Sequence, residues 1–233
     1  MKASKKILIE ETYEVIEAIN QQDKALLCEE LGDVLMQVVF HAQMEAEEGS
    51  FTFENVADGV CKKLIERHPH VFGEVEVTGS EEVLRNWDDI KKRSKGQTSQ
   101  TETMLSVPRE LPALMRATKV QKKAAKVGFD WPDISGAVDK LYEETSELSG
   151  AIESGSEEEI AEELGDLLFS AVNVSRFVGC DAEEALTAAT DKFMRRFACV
   201  EEKARERGLK LEELSLSELD ALWDEAKLDL LSK

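Results

Sequence analysis

The chain has 233 residues and a formal net charge of −20, with 49 acidic against 29 basic residues. This negative charge argues against DNA, RNA or an anionic membrane as the main partner, because those surfaces are bound through basic faces. Hydrophobic residues make up 42% of the chain, which is enough for a core, and the 4 prolines and 13 glycines favour long helices over many short strands. No run approaches the ~18 apolar residues of a membrane span. We therefore expect a soluble, cytoplasmic protein.

The first predicted domain covers residues 1–93. An acidic segment with helical periodicity, IEETYEVIEAI (9–19), precedes a second helix that contains EELGDVL (29–35). KKLIERH (62–68) and NWDDIK (86–91) follow in further helices. Between them, VFGEVEVTGS (71–80) is the one place where we expect non-helical structure beyond turns.

Residues 94–112 are polar and end with Pro108 and Pro112, which predicts a linker. The second predicted domain, 113–233, begins with a helix over 113–131 that has a basic face. Apolar residues at helical spacing continue over 134–152, and a turn at 154–156 precedes a long helix that ends near Gly179. Two more helices are predicted over 181–207 and 215–231. Each domain is therefore predicted to be an all-α helical bundle.

The two domains are copies of one unit. Residues 9–19 match YEETSELSGAI (142–152), and 29–35 match EELGDLL (162–168) at the same offset. With a short gap, 62–68 match DKFMRRF (191–197), and 86–91 match LWDEAK (222–227). Four blocks in one order indicate a tandem repeat. Because far fewer residues precede the acidic pair of the first copy, we expect that copy to lack its first helix.

Four carboxylates of the second copy are predicted to converge. Glu144 and Glu147 share one face of a helix, as Glu163 and Asp166 do on the next. Counted from a turn at Gly155, Glu147 and Glu163 are equally distant, and so are Glu144 and Asp166. In an antiparallel hairpin that rises ~1.5 Å per residue, the inner pair lies ~12 Å and the outer pair ~16 Å from the turn.

The first copy repeats this arrangement about Gln22, with Glu14 opposite Glu30 and Glu11 opposite Asp33. Clustered carboxylates repel one another unless a cation lies among them. Ligands that offer oxygen only suit Mg²⁺, Mn²⁺ or Ca²⁺. A solvated acidic face is the ordinary alternative in so acidic a chain. No histidine lies three residues after a glutamate, which excludes the di-iron sites of ferritin-like bundles.

Basic and aromatic residues follow each acidic hairpin. Lys192 and Arg196 are four residues apart on one helix face and could clamp phosphate oxygens, although an amphipathic helix often carries such a stripe. Trp223 could stack on a base or ribose, although a core position is the commoner role of a tryptophan. Lys63, Arg67 and Trp87 are their counterparts in the first copy.

The paired motifs EETSE (143–147) with EELGD (162–166), and EETYE (10–14) with EELGD (29–33), resemble the MazG family of all-α nucleoside triphosphate pyrophosphohydrolases. RHPHVF (67–72) and residues 112–131 extend the likeness over nearly the whole chain, in the two-domain form of the family. The Cys-Pro-Trp-Asp segment usual before the first acidic pair is missing. The resemblance implies a homodimer, with Mg²⁺-dependent cleavage between the α and β phosphates of NTPs or dNTPs, and Mn²⁺ as a possible substitute.

The resemblance also implies roles for particular residues. It assigns Glu144, Glu147, Glu163 and Asp166 as metal ligands of the competent C-terminal copy. It places further side chains around the nucleotide: Lys140, Glu143, Glu162, Lys192, Arg196 and Trp223, with Lys91 as an additional candidate. Glu143 is the candidate base that orients or deprotonates the attacking water. A second, degenerate site would use Glu11, Glu14, Glu30, Asp33, Lys63 and Arg67.

Two other functions fit the same residues. A non-catalytic helical dimer that senses nucleotide would bind it without releasing pyrophosphate, and such a module does not need all four carboxylates. A dUTP-specific pyrophosphatase would keep the metal site and restrict the substrate.

Overall fold

The computed structural model describes residues 2–73 and 79–231, and the chain divides into two compact units, Met1–Gly96 and Gln97–Lys233. Within the described residues every regular element is helical and no β-strand occurs. The predicted all-α class is therefore confirmed. Among these helices, none is both long and apolar enough to cross a membrane.

The first unit is built on an antiparallel helical hairpin. Its helices are α1 Lys2–Gln21, α2 Lys24–Glu47, α3 Phe53–Arg67, α4 Pro69–Phe72 and α5 Ser80–Ser94. The hairpin turns at Gln22, which has a positive φ of 56°, and Asp23 caps α2 by accepting hydrogen bonds from the backbone N–H groups of Ala25 and Leu26. The α3 helix packs against α2 and α5.

The second unit has six α-helices among the described residues. They are α6 Gln100–Leu105, α7 Ala113–Ala125, α8 Ile134–Ser154, α9 Glu157–Phe177, α10 Ala182–Glu206 and α11 Leu216–Leu231, with a 3₁₀ turn at Leu211–Glu213. The α8–α9 hairpin corresponds to α1–α2 of the first unit. The α7 helix packs along α9, and α10 packs on α11 and touches α7 and α9.

The turn between α8 and α9 lies where the sequence predicts it. Gly155 adopts the left-handed conformation, with a φ of 77°, which glycine reaches at little steric cost. The hydroxyl of Ser156 then accepts a 3.3 Å hydrogen bond from the backbone N–H of Glu159 and caps α9. The two-residue connection fixes the register of the hairpin.

The stretch 94–112, for which the sequence predicts a linker, differs from that expectation. Ser99 and Glu102 form a capping box that starts α6, and Thr103 and Val107 are only 4% and 5% exposed. Residues from Gln97 onward therefore fold with the second unit. Residues 74–78 of the predicted non-helical segment lie outside the described residues.

A small apolar cluster joins α10 to α11. Val200, Ala204, Leu222 and Ala226 are almost fully buried there, and Trp223 packs against them. The cluster therefore holds Trp223 in place on α11.

Candidate metal and nucleotide site

Three carboxylates meet between α8 and α9. Oxygens of Glu144, Glu163 and Asp166 lie within 4.8 Å of one another. We call these three residues the α8–α9 carboxylate patch. Glu147, the fourth predicted ligand, is outside this tight group, with its side chain 49% exposed, yet its charge still acts on Glu163. The patch thus contains three of the four predicted ligands, with the fourth beside it.

Glu144 is the buried member of the patch, at 4% exposure. Its Oε1 lies 2.6 Å from Nζ of Lys140. Its Oε2 is buried and has no hydrogen-bond partner among the described residues. A buried carboxylate oxygen left unpaired is costly, and a cation among the carboxylates would remove that cost. The residues present therefore fit a divalent metal ion.

Electrostatics within the patch point the same way. The pKa of Glu163 is raised above its usual value, first by partial burial and then by the negative charges of Glu147, Glu144 and Asp166. Repulsion of this kind is what a bound cation reverses. The donors are carboxylate oxygens only, which suits a hard cation rather than zinc or iron.

Lys140 supplies the positive charge nearest the patch among the described ion pairs. Its Nζ lies 2.7 Å from Oε1 of Glu143 and 2.6 Å from Glu144, and these hydrogen bonds, in that order, raise the pKa of Lys140. Glu143 is exposed at the edge of the patch. Glu162 is also exposed and adds a weaker repulsion on Glu163. These residues border the carboxylates, and that they line a nucleotide site stays a prediction.

Three of the predicted nucleotide-binding residues, Lys192, Arg196 and Trp223, lie on α10 and α11. The guanidinium of Arg196 is 5.9 Å from the ring centroid of Trp223, and the rings of Phe193 and Trp223 are 5.1 Å apart. Trp223 is half-buried and Lys192 is exposed. Arg196 and Trp223 thus form one cation–π pair. Phe193, which lies beside them, is a residue that sequence reasoning did not single out.

The first unit has its own acidic group. Oxygens of Glu11, Glu14 and Glu30 lie within 4.8 Å of one another. Asp33 is half-buried outside this group, although its charge, after partial burial, raises the pKa of Glu11. The counterpart of Asp33 is Asp166, which does belong to the patch of the second unit. The two groups are therefore similar but composed differently.

The cation–π pair is also repeated in the first unit. The guanidinium of Arg67 lies 5.3 Å from the ring centroid of Trp87, and Nζ of Lys91 lies 4.6 Å from it. Lys63 is exposed on the same helix as Arg67. The correspondence of Arg67 and Trp87 with Arg196 and Trp223, expected from the repeat, is thus present in the described side chains.

Sequence reasoning missed the contacts that hold the start of α8. Asp130 accepts two hydrogen bonds from the guanidinium of Arg176 on α9, one of them 2.8 Å long, and this arginine lowers the pKa of Asp130. The ring of Trp131 covers Gly136, where an added Cβ would lie 2.6 Å from Cε3 of the indole. Together these contacts hold the segment before α8 against α9 and against the first turn of α8.

Comparison with known proteins identifies the family. The MazG nucleotide pyrophosphohydrolase domain matches residues 1–72 and 135–200. The chain is 44% identical to a nucleoside triphosphate pyrophosphohydrolase of Escherichia coli K12, over 94% of this chain and 84% of that protein. It is 46% identical to the nucleoside triphosphate pyrophosphohydrolase/pyrophosphatase MazG of Thermotoga maritima, over 96% and 84%. An uncharacterised Bacillus subtilis protein, YabN, is 50% identical over 96% of this chain and 46% of its own length.

The match covers more than half of the chain and falls on both hairpins. The chain therefore belongs to the MazG nucleotide pyrophosphohydrolase family, as the paired acidic motifs indicate.

Proposed function

We propose that this member of the MazG family hydrolyses nucleoside triphosphates to the monophosphate and pyrophosphate at the α8–α9 carboxylate patch, with Mg²⁺ as the metal and Mn²⁺ as a possible substitute. The Escherichia coli and Thermotoga maritima relatives are nucleoside triphosphate pyrophosphohydrolases, which supports the reaction. The unpaired, buried Oε2 of Glu144 within a three-carboxylate group is the observation that carries the metal site. Nucleotide-pool control is the corresponding role.

Glu144, Glu163 and Asp166 would hold the ion, with Glu147 close enough to complete the set. When bound, Mg²⁺ neutralises phosphate charge and polarises the bond that is cleaved. The carboxylates would contribute by holding that ion at the α8–α9 surface, where the triphosphate would bind.

The hydrolytic step needs a water oriented toward the α-phosphorus. Glu143 is exposed at the edge of the patch and is held by Lys140, so it is our candidate to orient that water or accept its proton. The water oxygen forms a bond to phosphorus, and the bond from phosphorus to the bridging oxygen of the pyrophosphate breaks. Lys192 and Arg196 would stabilise the negative charge on the departing pyrophosphate.

Trp223 is our candidate for stacking on the base or ribose, and its pairing with Arg196 supports a shared surface for base and phosphate. Glu162 and Lys140 would border the nucleotide. Lys91 lies beside Trp87 in the first unit, and its contribution to a nucleotide site stays a prediction.

We also propose that the chain works as a homodimer through its hairpins. Large apolar side chains are exposed at corresponding positions of α2 and α9: Leu31 with Leu164, Leu35 with Leu168, and Met36 with Phe169, all between 45% and 56% exposed. Contiguous apolar surface of this kind is typical of protein–protein interfaces. Sedimentation of the intact chain measures the assembly, and a monomer at micromolar concentration would contradict it.

Pyrophosphate release from a panel of NTPs and dNTPs with Mg²⁺ tests the proposal. The decisive variant is Glu144→Gln with Asp166→Asn, and Glu11→Gln with Asp33→Asn is its matched counterpart in the first unit. We expect the second-unit variant to lose release and the first-unit variant to retain it. Nucleotide binding without release by the intact chain would instead indicate a sensor, and release from dUTP alone a restricted pyrophosphatase.

A further inference from the structure

One face of α8 carries a lysine surrounded by carboxylates. Nζ of Lys140 lies 2.6 Å from Glu144, 2.7 Å from Glu143 and 4.0 Å from Glu147. These residues follow one another at i+3, i+4 and i+7 on a single helix, so the ammonium is held above the buried carboxylate by local geometry alone.

We propose that Lys140 is an internal countercation. Its ammonium pairs with the carboxylate of Glu144 when the metal is absent, and it competes with the metal for that carboxylate. The inference rests on the proposed function insofar as it takes the α8–α9 carboxylate patch to be the metal site. It adds that metal binding includes displacement of this lysine from Glu144.

Burial supports the first half of the inference. The side chain of Glu144 is 5% exposed, and burying a carboxylate is costly unless it is paired. Lys140 provides that partner through Oε1, while Oε2 stays unpaired. One ammonium thus compensates the charge but leaves an oxygen that a metal ion would use.

The exposure of Lys140 supports the second half of the inference, that a metal ion displaces this lysine from Glu144. The side chain of Lys140 is 36% exposed and sits on a flexible stem, so its ammonium can move without repacking the helix. Glu143, 57% exposed, would remain as its partner after the move. Displacement of Lys140 from Glu144 therefore breaks only that ion pair, and the ion pair with Glu143 is kept.

The first unit provides an internal comparison. Ile7 occupies the position of Lys140, and Glu11 that of Glu144. Where isoleucine replaces the lysine, the glutamate is half-buried, whereas Glu144 beside Lys140 is buried. Of the two repeats, only the second has a lysine at this position, and only there is the carboxylate deeply buried.

The test measures Mn²⁺ binding by calorimetry on the intact chain, in a Glu11→Gln background that weakens the first-unit acidic group. We expect Lys140→Met to bind Mn²⁺ about five- to tenfold more tightly, because the competing charge is gone. Lys140→Arg keeps the charge and should bind close to wild type. Lys140→Gln repeats the test if the methionine variant does not fold.

Thermal unfolding gives a second readout that needs no activity. In EDTA, Lys140→Met should melt below wild type, because Glu144 then lacks its countercation. Mn²⁺ should raise its melting temperature by more than it raises that of wild type. The matched control is Lys203→Met, a lysine 18% exposed that pairs with Asp229 at 2.6 Å away from the patch, and its melting temperature should fall equally with and without Mn²⁺.

Unchanged or weaker Mn²⁺ binding by Lys140→Met would overturn the proposal that Lys140 is a countercation. The proposal of a metal site would still stand if Glu144→Gln abolishes Mn²⁺ binding. Absence of Mn²⁺ binding by the wild-type chain would overturn the metal site, and with it both proposals.

Discussion

Replacement of Leu222 by alanine tests the packing behind the proposed nucleotide surface separately from the carboxylates that would hold the metal. Leu222 is 2% exposed in the cluster between α10 and α11, directly before Trp223. Two of its neighbours in the cluster, Ala204 and Ala226, are too small to fill the space that a leucine leaves. A cavity should therefore persist.

The expected cost follows from that geometry. Leu→Ala changes in rigid cores lower the free energy of unfolding by roughly 2–5 kcal/mol, and poor refilling at this site suggests about 3 kcal/mol. For a unit of this size, that corresponds to a fall in melting temperature of roughly 10 °C. Looser packing of α11 should also raise KM for the nucleotide through Trp223, while Mn²⁺ affinity stays unchanged because the patch lies on α8 and α9.

Differential scanning calorimetry and initial-rate kinetics measure the two effects. Leu228→Ala is the matched control, since Leu228 is on the same helix but 68% exposed, and we expect it to change stability by no more than about 0.5 kcal/mol. Equal losses in the two variants, or a fall in Mn²⁺ affinity with Leu222→Ala, would refute the reasoning.

Three further predictions concern the hairpin and its support. Glu163→Gln should raise the melting temperature of the metal-free protein at pH 7, because burial and neighbouring carboxylates raise the pKa of Glu163 and its ionised form opposes folding. This gain in melting temperature should vanish as the pH falls through that raised pKa. Thermal unfolding in EDTA measures it, and a gain that persists at low pH would contradict the prediction. Gly136→Ala should cost about 1–3 kcal/mol and change the fluorescence of Trp131, since the new Cβ would meet the indole; wild-type stability and emission would disprove the close contact. Asp130→Asn should lower the free energy of unfolding by about 1–2 kcal/mol at pH 7. In urea titrations, this difference from wild type should shrink as the pH falls through the lowered pKa of Asp130, because the contact with Arg176 contributes only while that carboxylate is ionised. A difference that stays constant with pH would refute this prediction.

The register of the hairpin could be predicted because it depends on local rules. A short turn and a constant rise per residue fix which heights on α8 and α9 face each other, and Glu144 and Asp166 lie where counting from Gly155 places them. Counting does not fix rotation about the helix axis. Glu147 has the correct height, yet it stays at the margin of the patch, whereas Glu163 and Asp166, which are also three residues apart, both belong to it.

Other features depended on contacts distant in sequence. Asp130 and Arg176 are 46 residues apart, and no spacing rule joins them. The ion pair of Lys140 with Glu144 is visible in sequence as an i, i+4 spacing, but its significance depends on the burial of Glu144. The capping box at Ser99 was readable locally, yet the polar composition around it favoured a linker.

The most direct measurement of the central claim is the product stoichiometry of nucleoside triphosphate turnover, resolved by ion-exchange chromatography with and without Mg²⁺. We predict equal amounts of nucleoside monophosphate and pyrophosphate from the intact chain, dependent on the metal and absent in Glu144→Gln. Nucleoside diphosphate with inorganic phosphate, or equal turnover by Glu144→Gln, would contradict cleavage between the α and β phosphates at the α8–α9 carboxylate patch.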